Sequence, residues 1–362
     1  TQSRSSAASD VYKRQTHDRA WAFILTATTL LLLLALNLLT VKLFGELEFW
    51  FALIKIVAIL TLIAVAIVLI VMGFTSASGY KASVSNLWSY GGFAPRGWSG
   101  FFGGFQIAVF AYVGIELVGT TSAETANPPK TMPKAINAVP VRVLVFYVAA
   151  LLAMMCVTPW NLIQTDSSPF VQMFGLIGFT AAAGIMNFVV LTSAASSANS
   201  GVYSTSRMLY GLAHKGMAPR AFGKLSRHGV PGWGLFCTII LIGSALILAA
   251  KDSVMGAFTL VTTVSAVLFV FVWSMILISH IVHVRRNPQA HAKSIYPMPG
   301  ASFMPWVVLA FFVFVIVLLT GADDTLQALL AAPIWFVVLG IVWAIVRRRS
   351  HHDDLETDLP AD

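Results

Sequence analysis

Apolar residues are gathered in long runs, and polar residues collect in the gaps between them. In chain order the runs are Trp21 to Thr40, Phe49 to Phe74, Phe101 to Thr121, Val143 to Trp160, Phe170 to Leu212, Trp233 to Ala250, Met255 to Val284, Phe303 to Leu319 and Ala328 to Val346. About 20 apolar residues carry a helix across the hydrocarbon layer. The ten-residue alternating segments of a membrane barrel do not fit this pattern. It predicts an all-α integral membrane protein with nine spans, the fifth run long enough to project beyond the bilayer. Between the runs lie a short polar turn at Val41 to Glu48, a loop rich in Gly, Ser and Trp from Thr75 to Ser99, and a proline-punctuated loop from Ser122 to Arg142. Residues 1–19 are polar, Ser-rich and basic, with no apolar stretch long enough for a signal peptide. They read as a disordered leader, or one foreign to the protein, ahead of a transmembrane domain at 20–349 and a polar tail at 350–362.

Composition sharpens this. Of 362 residues, 57% are hydrophobic and 10% charged, against about 25% charged in a soluble domain. The net charge of +8 would by itself suggest nucleic acid, but its distribution argues against such a partner and for a lipid bilayer. Placing Arg347, Arg348 and Arg349 in the cytoplasm puts fifteen Lys and Arg on that side, among them Lys130, Arg142, Arg207, Lys215 and Arg285, against Lys81, Arg96 and Lys251 opposite. The positive-inside rule therefore orients the chain with a cytoplasmic C-terminus. Cys156 and Cys237 both fall within apolar runs, so neither a disulfide framework nor a metal site is implied.

The stretch Phe110-Ala111-Tyr112-Val113-Gly114-Ile115-Glu116 sits inside the third run. Gly weakens a helix by about 1 kcal/mol relative to Ala, and an ionised Glu at bilayer depth costs at least ~2.5 kcal/mol. One reading is an interrupted helix whose freed backbone groups line a polar cavity at the midplane. The other is a close helix contact at Gly114 with Glu116 a satisfied buried acid. Lys55 lies inside the second run, where it is either the occupant of a cation site between helices or a snorkelling lysine. In the run from Leu191 to Gly201, the spacing of Ser193, Ser197 and Ser200 puts them on one helical face, suited to close packing or to supplying oxygens to a substrate or to Lys55. His280 and His283 beside Arg285 and Arg286 read as an interfacial anchor, and Asp323 and Asp324 as solvated. No catalytic motif accompanies them, so an enzyme is not expected.

From Phe110 to Glu116 the sequence resembles the sixth transmembrane helix of bacterial amino acid permeases of the amino acid–polyamine–organocation superfamily. Gly45-Glu-Leu-Glu-Phe-Trp-Phe-Ala-Leu-Ile-Lys55 is similar to the start of that family's fifth helix. Thr121-Ser-Ala-Glu-Thr125 and Pro133-Lys-Ala-Ile-Asn137 resemble the loop after its sixth, and Ser193 to Arg207 its eighth helix. Lys293-Ser-Ile-Tyr-Pro-Met298 and Asp323-Asp-Thr-Leu-Gln-Ala-Leu329 extend the likeness, which runs from about Trp21 to Trp343.

The resemblance implies a LeuT-like fold of two inverted five-helix repeats, here incomplete. The first span would correspond to the family's fourth helix, with the second repeat at about 100–285 and two accessory helices at about 302–347. A chain that lacks counterparts of the family's first three helices is expected to be a fragment of a longer permease. The implied activity is proton-coupled uptake of small neutral amino acids, such as glycine, D-alanine and D-serine, across a bacterial cytoplasmic membrane. The energy source would be the proton gradient, with no cofactor. Phe110, Ala111, Tyr112, Val113 and Gly114 would bind the amino acid. Lys55 and Glu116 would couple the proton, and Ser196 and Ser197 would line the cation site. The alternatives are a permease for another amino acid, aromatic, 4-aminobutyrate or proline, and a membrane scaffold that does not transport.

Overall fold

A computed structural model describes residues 24–357 except residues 25, 39–40, 77–78, 121–124, 126, 165–167, 177, 179, 227–228, 252–253 and 322. The polar leader at 1–19 lies outside the described residues. The backbone is helical nearly everywhere. Among the described residues, extended pairing is limited to one isolated antiparallel bridge between Thr75 and Lys81.

The helices are α1 (Thr26–Leu38), α2 (Val41–Val71), α3 (Gly97–Gly103), α4 (Phe105–Ala111), α5 (Leu117–Thr120), α6 (Pro128–Val143), α7 (Ala150–Val157), α8 (Pro169–Leu176), α9 (Thr180–His214), α10 (Gly232–Lys251), α11 (Val254–Arg286), α12 (Pro288–Ala292), α13 (Met304–Leu318) and α14 (Asp323–Thr357). Six stretches are long and apolar enough to cross a membrane: Gly45–Val71, Pro128–Val157, Ala181–His214, Phe258–Arg286, Met304–Gly321 and Thr325–Ile345. Two shorter apolar helices, Thr26–Leu38 and Gly232–Ser244, stand where the first and sixth runs predict spans. The third run is broken into α3, α4 and α5. The protein is thus an all-α, multi-pass membrane protein, as its apolar runs predict and as a LeuT-like permease fold requires.

Three expectations are corrected. Val41 to Glu48 is not a polar turn, because α2 already begins at Val41. No proline interrupts this stretch, and isolated charges at Glu46 and Glu48 do not stop a helix rich in Leu and Phe. The proline-punctuated segment is largely α6, with Pro128 and Pro129 at its first positions. There a missing N–H costs nothing and the fixed φ favours the helix. Two interior prolines, Pro133 and Pro140, are followed by a π-helical stretch, Leu144–Ala149, which continues into α7. The fifth run is two helices, α8 and α9, separated at Gly178, whose φ of +82° suits glycine.

The chain divides into two compact units. One comprises residues 1–55, 187–257 and 336–362. Its core joins Val202 of α9 to Val230 and Leu235, with Leu34 and Ile239 packed against them. Gly234 lies so near α9 that a Cβ there would stand 2.9 Å from the Ser206 carbonyl oxygen, the close approach that small residues permit between membrane helices.

The other unit comprises residues 56–186 and 258–335. Val109, Ala266, Val270 and Val315 form its main cluster, flanked by Phe105, Phe110, Trp273 and Phe312. Phe102 and Phe105 each meet Phe314 edge-on, a favoured aromatic geometry. Large apolar side chains such as Leu31, Phe188, Val313 and Ile334 remain exposed. Hydrocarbon, not water, is the solvent in which such a surface is stable.

Candidate functional site

The interruption in the third run lies at 112–116, between α4 and α5. Gly114 has φ +105°, a conformation that L side chains rarely adopt. Its N–H donates to both carboxylate oxygens of Glu116, at 3.1 Å each. The carboxylate two residues on thereby satisfies a donor that the break would otherwise strand in hydrocarbon. Trp273 of α11 donates its indole N–H to Glu116 Oε2 at 3.3 Å. The Tyr147 hydroxyl donates to the Ala111 carbonyl at 2.8 Å, and its ring meets Tyr112 edge-on at 5.6 Å.

Phe110 packs on the Val109 cluster, while Tyr112, Val113 and Gly114 are half-buried in the turn itself. All the candidate residues from Phe110 to Gly114, with Glu116, are gathered at one interruption. Of the two readings of Gly114, the backbone supports the break. A Cβ added there would meet nothing within 4 Å, so close helix packing does not account for the glycine.

A second polar centre forms in the unit that contains α1 and α10. Lys55 Nζ donates to Ser196 Oγ at 2.9 Å. Ser196 Oγ in turn donates to Glu48 Oε2 at 2.9 Å. Asn199 Nδ2 donates to the other oxygen, Glu48 Oε1, at 3.0 Å. Asn37 of α1 donates to Asn199 Oδ1 at 2.7 Å and to the Leu33 carbonyl at 2.9 Å. Ser196 and Asn199 are each 1% exposed. The lysine therefore does not simply snorkel, since its ammonium is held by a buried hydroxyl.

Ser197 is placed differently from Ser196. It is exposed, and its hydroxyl donates to the Ser193 carbonyl of its own helix at 3.1 Å. One residue turns a helix by about 100°, so the face toward Lys55 carries Ser196 and Asn199 instead of Ser193, Ser197 and Ser200. Sequence reasoning missed Glu48, Asn199 and Asn37. Glu48 and Lys55 are seven residues apart, two turns on one face of α2, a signal hidden once Glu48 is assigned to a turn.

The amino acid permease family model matches residues 12–355, nearly the whole chain. The chain belongs to the amino acid permease family. This permease is 57% identical over 328 residues to the D-serine/D-alanine/glycine transporter of Escherichia coli (strain K12), a match covering 90% of this chain and 70% of the relative. It is 51% identical over 325 residues to the amino-acid permease AapA of Bacillus subtilis (strain 168), covering 89% and 69%. The probable threonine/serine transporter YbxG of the same organism is 40% identical over 326 residues, covering 90% and 70%. Amino acid transport across a membrane is the function of a permease of this family, and an amino acid is its substrate. A family of transporters gives no ground for an enzymatic reading.

Proposed function

We propose that this permease is a proton symporter that takes up small neutral amino acids, glycine, D-alanine and D-serine, across the bacterial cytoplasmic membrane, with its C-terminus in the cytoplasm. The observation that carries the reading is the interrupted helix at 112–116. Its backbone turn at Gly114 is closed by Glu116, and it gathers the Glu116 carboxylate and the half-buried Tyr112 within an otherwise apolar run, where a polar solute can be met at membrane depth. Phe110, Ala111, Tyr112, Val113 and Gly114 bind the amino acid. Glu116 and Lys55 couple its movement to the proton, and Ser196 lines the site at Lys55. The proton gradient supplies the energy without a cofactor. Substrate choice follows the relative named for D-serine, D-alanine and glycine, and orientation follows the excess of Lys and Arg on the side of Arg347.

The test is uptake of labelled glycine by proteoliposomes holding the chain, with and without an imposed pH gradient, in competition with a panel of amino acids. Accumulation driven by an acidic exterior, and competed by D-alanine and D-serine, is the expected result. Uptake competed instead by aromatic amino acids, 4-aminobutyrate or proline would overturn the substrate assignment. Uptake indifferent to pH would overturn the coupling.

A further inference from the structure

Resting on the reading that Lys55 carries the coupled proton, we propose that Glu48 is the acceptor to which Lys55 releases it, with the Ser196 hydroxyl as the relay. Ser196 Oγ accepts from Lys55 Nζ and donates to Glu48 Oε2, both at 2.9 Å. A hydroxyl can accept and donate at once, and this one is 1% exposed. Its two partners are therefore a donor and an acceptor of opposite charge, joined by a single rotatable O–H.

The transfer balances without any further reactant. An N–H bond of Lys55 breaks, its electron pair staying on nitrogen, and the proton bonds to Ser196 Oγ. The original O–H bond of Ser196 breaks in turn, and that proton bonds to Glu48 Oε2. An ammonium and a carboxylate become an amine and a carboxylic acid, and the serine is regenerated. The pair carries no net charge before or after this transfer, so the transfer itself leaves no isolated ion in hydrocarbon, where it would be most costly; the carboxylate that remains after release to water keeps the Ser196 and Asn199 donors.

The surroundings fix the direction of the relay. Asn199 holds Glu48 Oε1 and so leaves Oε2 aimed at Ser196. Asn37 occupies Asn199 Oδ1, which fixes the amide so that its NH2 faces Glu48. The groups facing the pair from α9 and α1 are thus Ser196, Asn199 and Asn37, none of which titrates at physiological pH, and Glu48 is the charge that acts on Lys55. Glu48 is only half-buried. It lies seven residues, or about 10 Å along the axis, toward the N-terminal end of α2, the cytoplasmic end in the orientation proposed above, where water can take the proton.

The test compares Glu48→Gln, Ser196→Ala and Ser196→Thr with the wild type in proteoliposomes. Two rates of glycine entry are measured, accumulation driven by a pH gradient and counterflow without one. The expected result is a fall of about tenfold or more in the ratio of driven accumulation to counterflow for Glu48→Gln and Ser196→Ala, with the ratio restored in Ser196→Thr, which keeps the hydroxyl. A merely structural role would lower both rates together and leave the ratio unchanged, which overturns the relay. Should Glu48→Gln fail to fold, Ser196→Ala against Ser196→Thr decides alone. A wild type with no pH-driven accumulation overturns the coupling reading and the relay together. A driven wild type whose variants keep the ratio overturns the relay only.

Discussion

Glu48 and Glu116 are both half-buried carboxylates, and they are stabilised in different ways. Glu116 turns back on its own chain and takes the N–H of Gly114, two residues away. Glu48 reaches across to a helix some 150 residues later, taking Ser196 and Asn199 as donors. The first holds a backbone distortion in place. The second holds two helices and a lysine in register. A local partner moves with the acid, whereas a distant partner is lost whenever the helices part; Glu116 has one such partner, Trp273 at 3.3 Å, and keeps its Gly114 bonds without it, so helix movement bears more heavily on the Glu48 centre.

The largest expected effect falls on the distant centre. Glu48→Ala leaves two buried donors, Ser196 Oγ and Asn199 Nδ2, without their acceptor and removes the charge opposite Lys55, and it should cost about 2–3 kcal/mol, read as loss of thermal stability by circular dichroism in detergent. A loss no greater than that of an exposed surface substitution would break the contrast between the two acids. Asn199→Ala should not add fully to it. A double-mutant cycle on Glu48 and Asn199 is expected to give a coupling above about 0.5 kcal/mol, and strict additivity would show that the two do not act as one centre.

Gly114→Ala tests the local centre. With φ at +105° the new methyl group forces strain on the turn, at a cost of about 1–2 kcal/mol, and glycine uptake should fall with it. Tyr147→Phe removes one hydrogen bond to the Ala111 carbonyl and should cost about 1 kcal/mol. Ser197→Ala should be smallest, within about 0.5 kcal/mol, since its hydroxyl bonds only its own helix. A larger loss at Ser197 than at Ser196 would reverse the assignment of the α9 face.

The same contrast explains what the sequence disclosed. The interruption at Gly114 was legible because a glycine beside an acid in an apolar run is a local anomaly, and its acid turned out to be its own partner. Lys55 was legible for the same reason, as a charge where charge is costly. Glu48 was not, because its meaning depends on Ser196 and Asn199, and nothing within the Gly45 to Lys55 segment specifies the rotation of a helix so far along the chain. The hydroxyl-rich run likewise showed that a polar face exists, but serines at 193, 196, 197 and 200 satisfy more than one face. The bonds from Lys55 and Glu48 to Ser196, and from Asn37 to Asn199, separate them, and Asn37 lies in a run that reads simply as apolar. The start of α6 was hidden by prolines, which break a helix in its interior yet open one at its first turn.

The π-helical stretch Leu144–Ala149 has a bearing on how such a protein can change. A π turn holds one residue more than the α-helix it interrupts, and each residue shifts the helix by about 100° of phase. Tyr147, which leans on the break, sits within that stretch, whereas the buried faces of Ala153, Met154 and Val157 lie beyond it. The surplus residue thus works as a vernier between two faces of one span. Losing it would leave each half helical and its composition unaltered, yet swing the phenol out of step with the wall it belongs to. Phase along this span therefore depends on the count of residues in the π stretch.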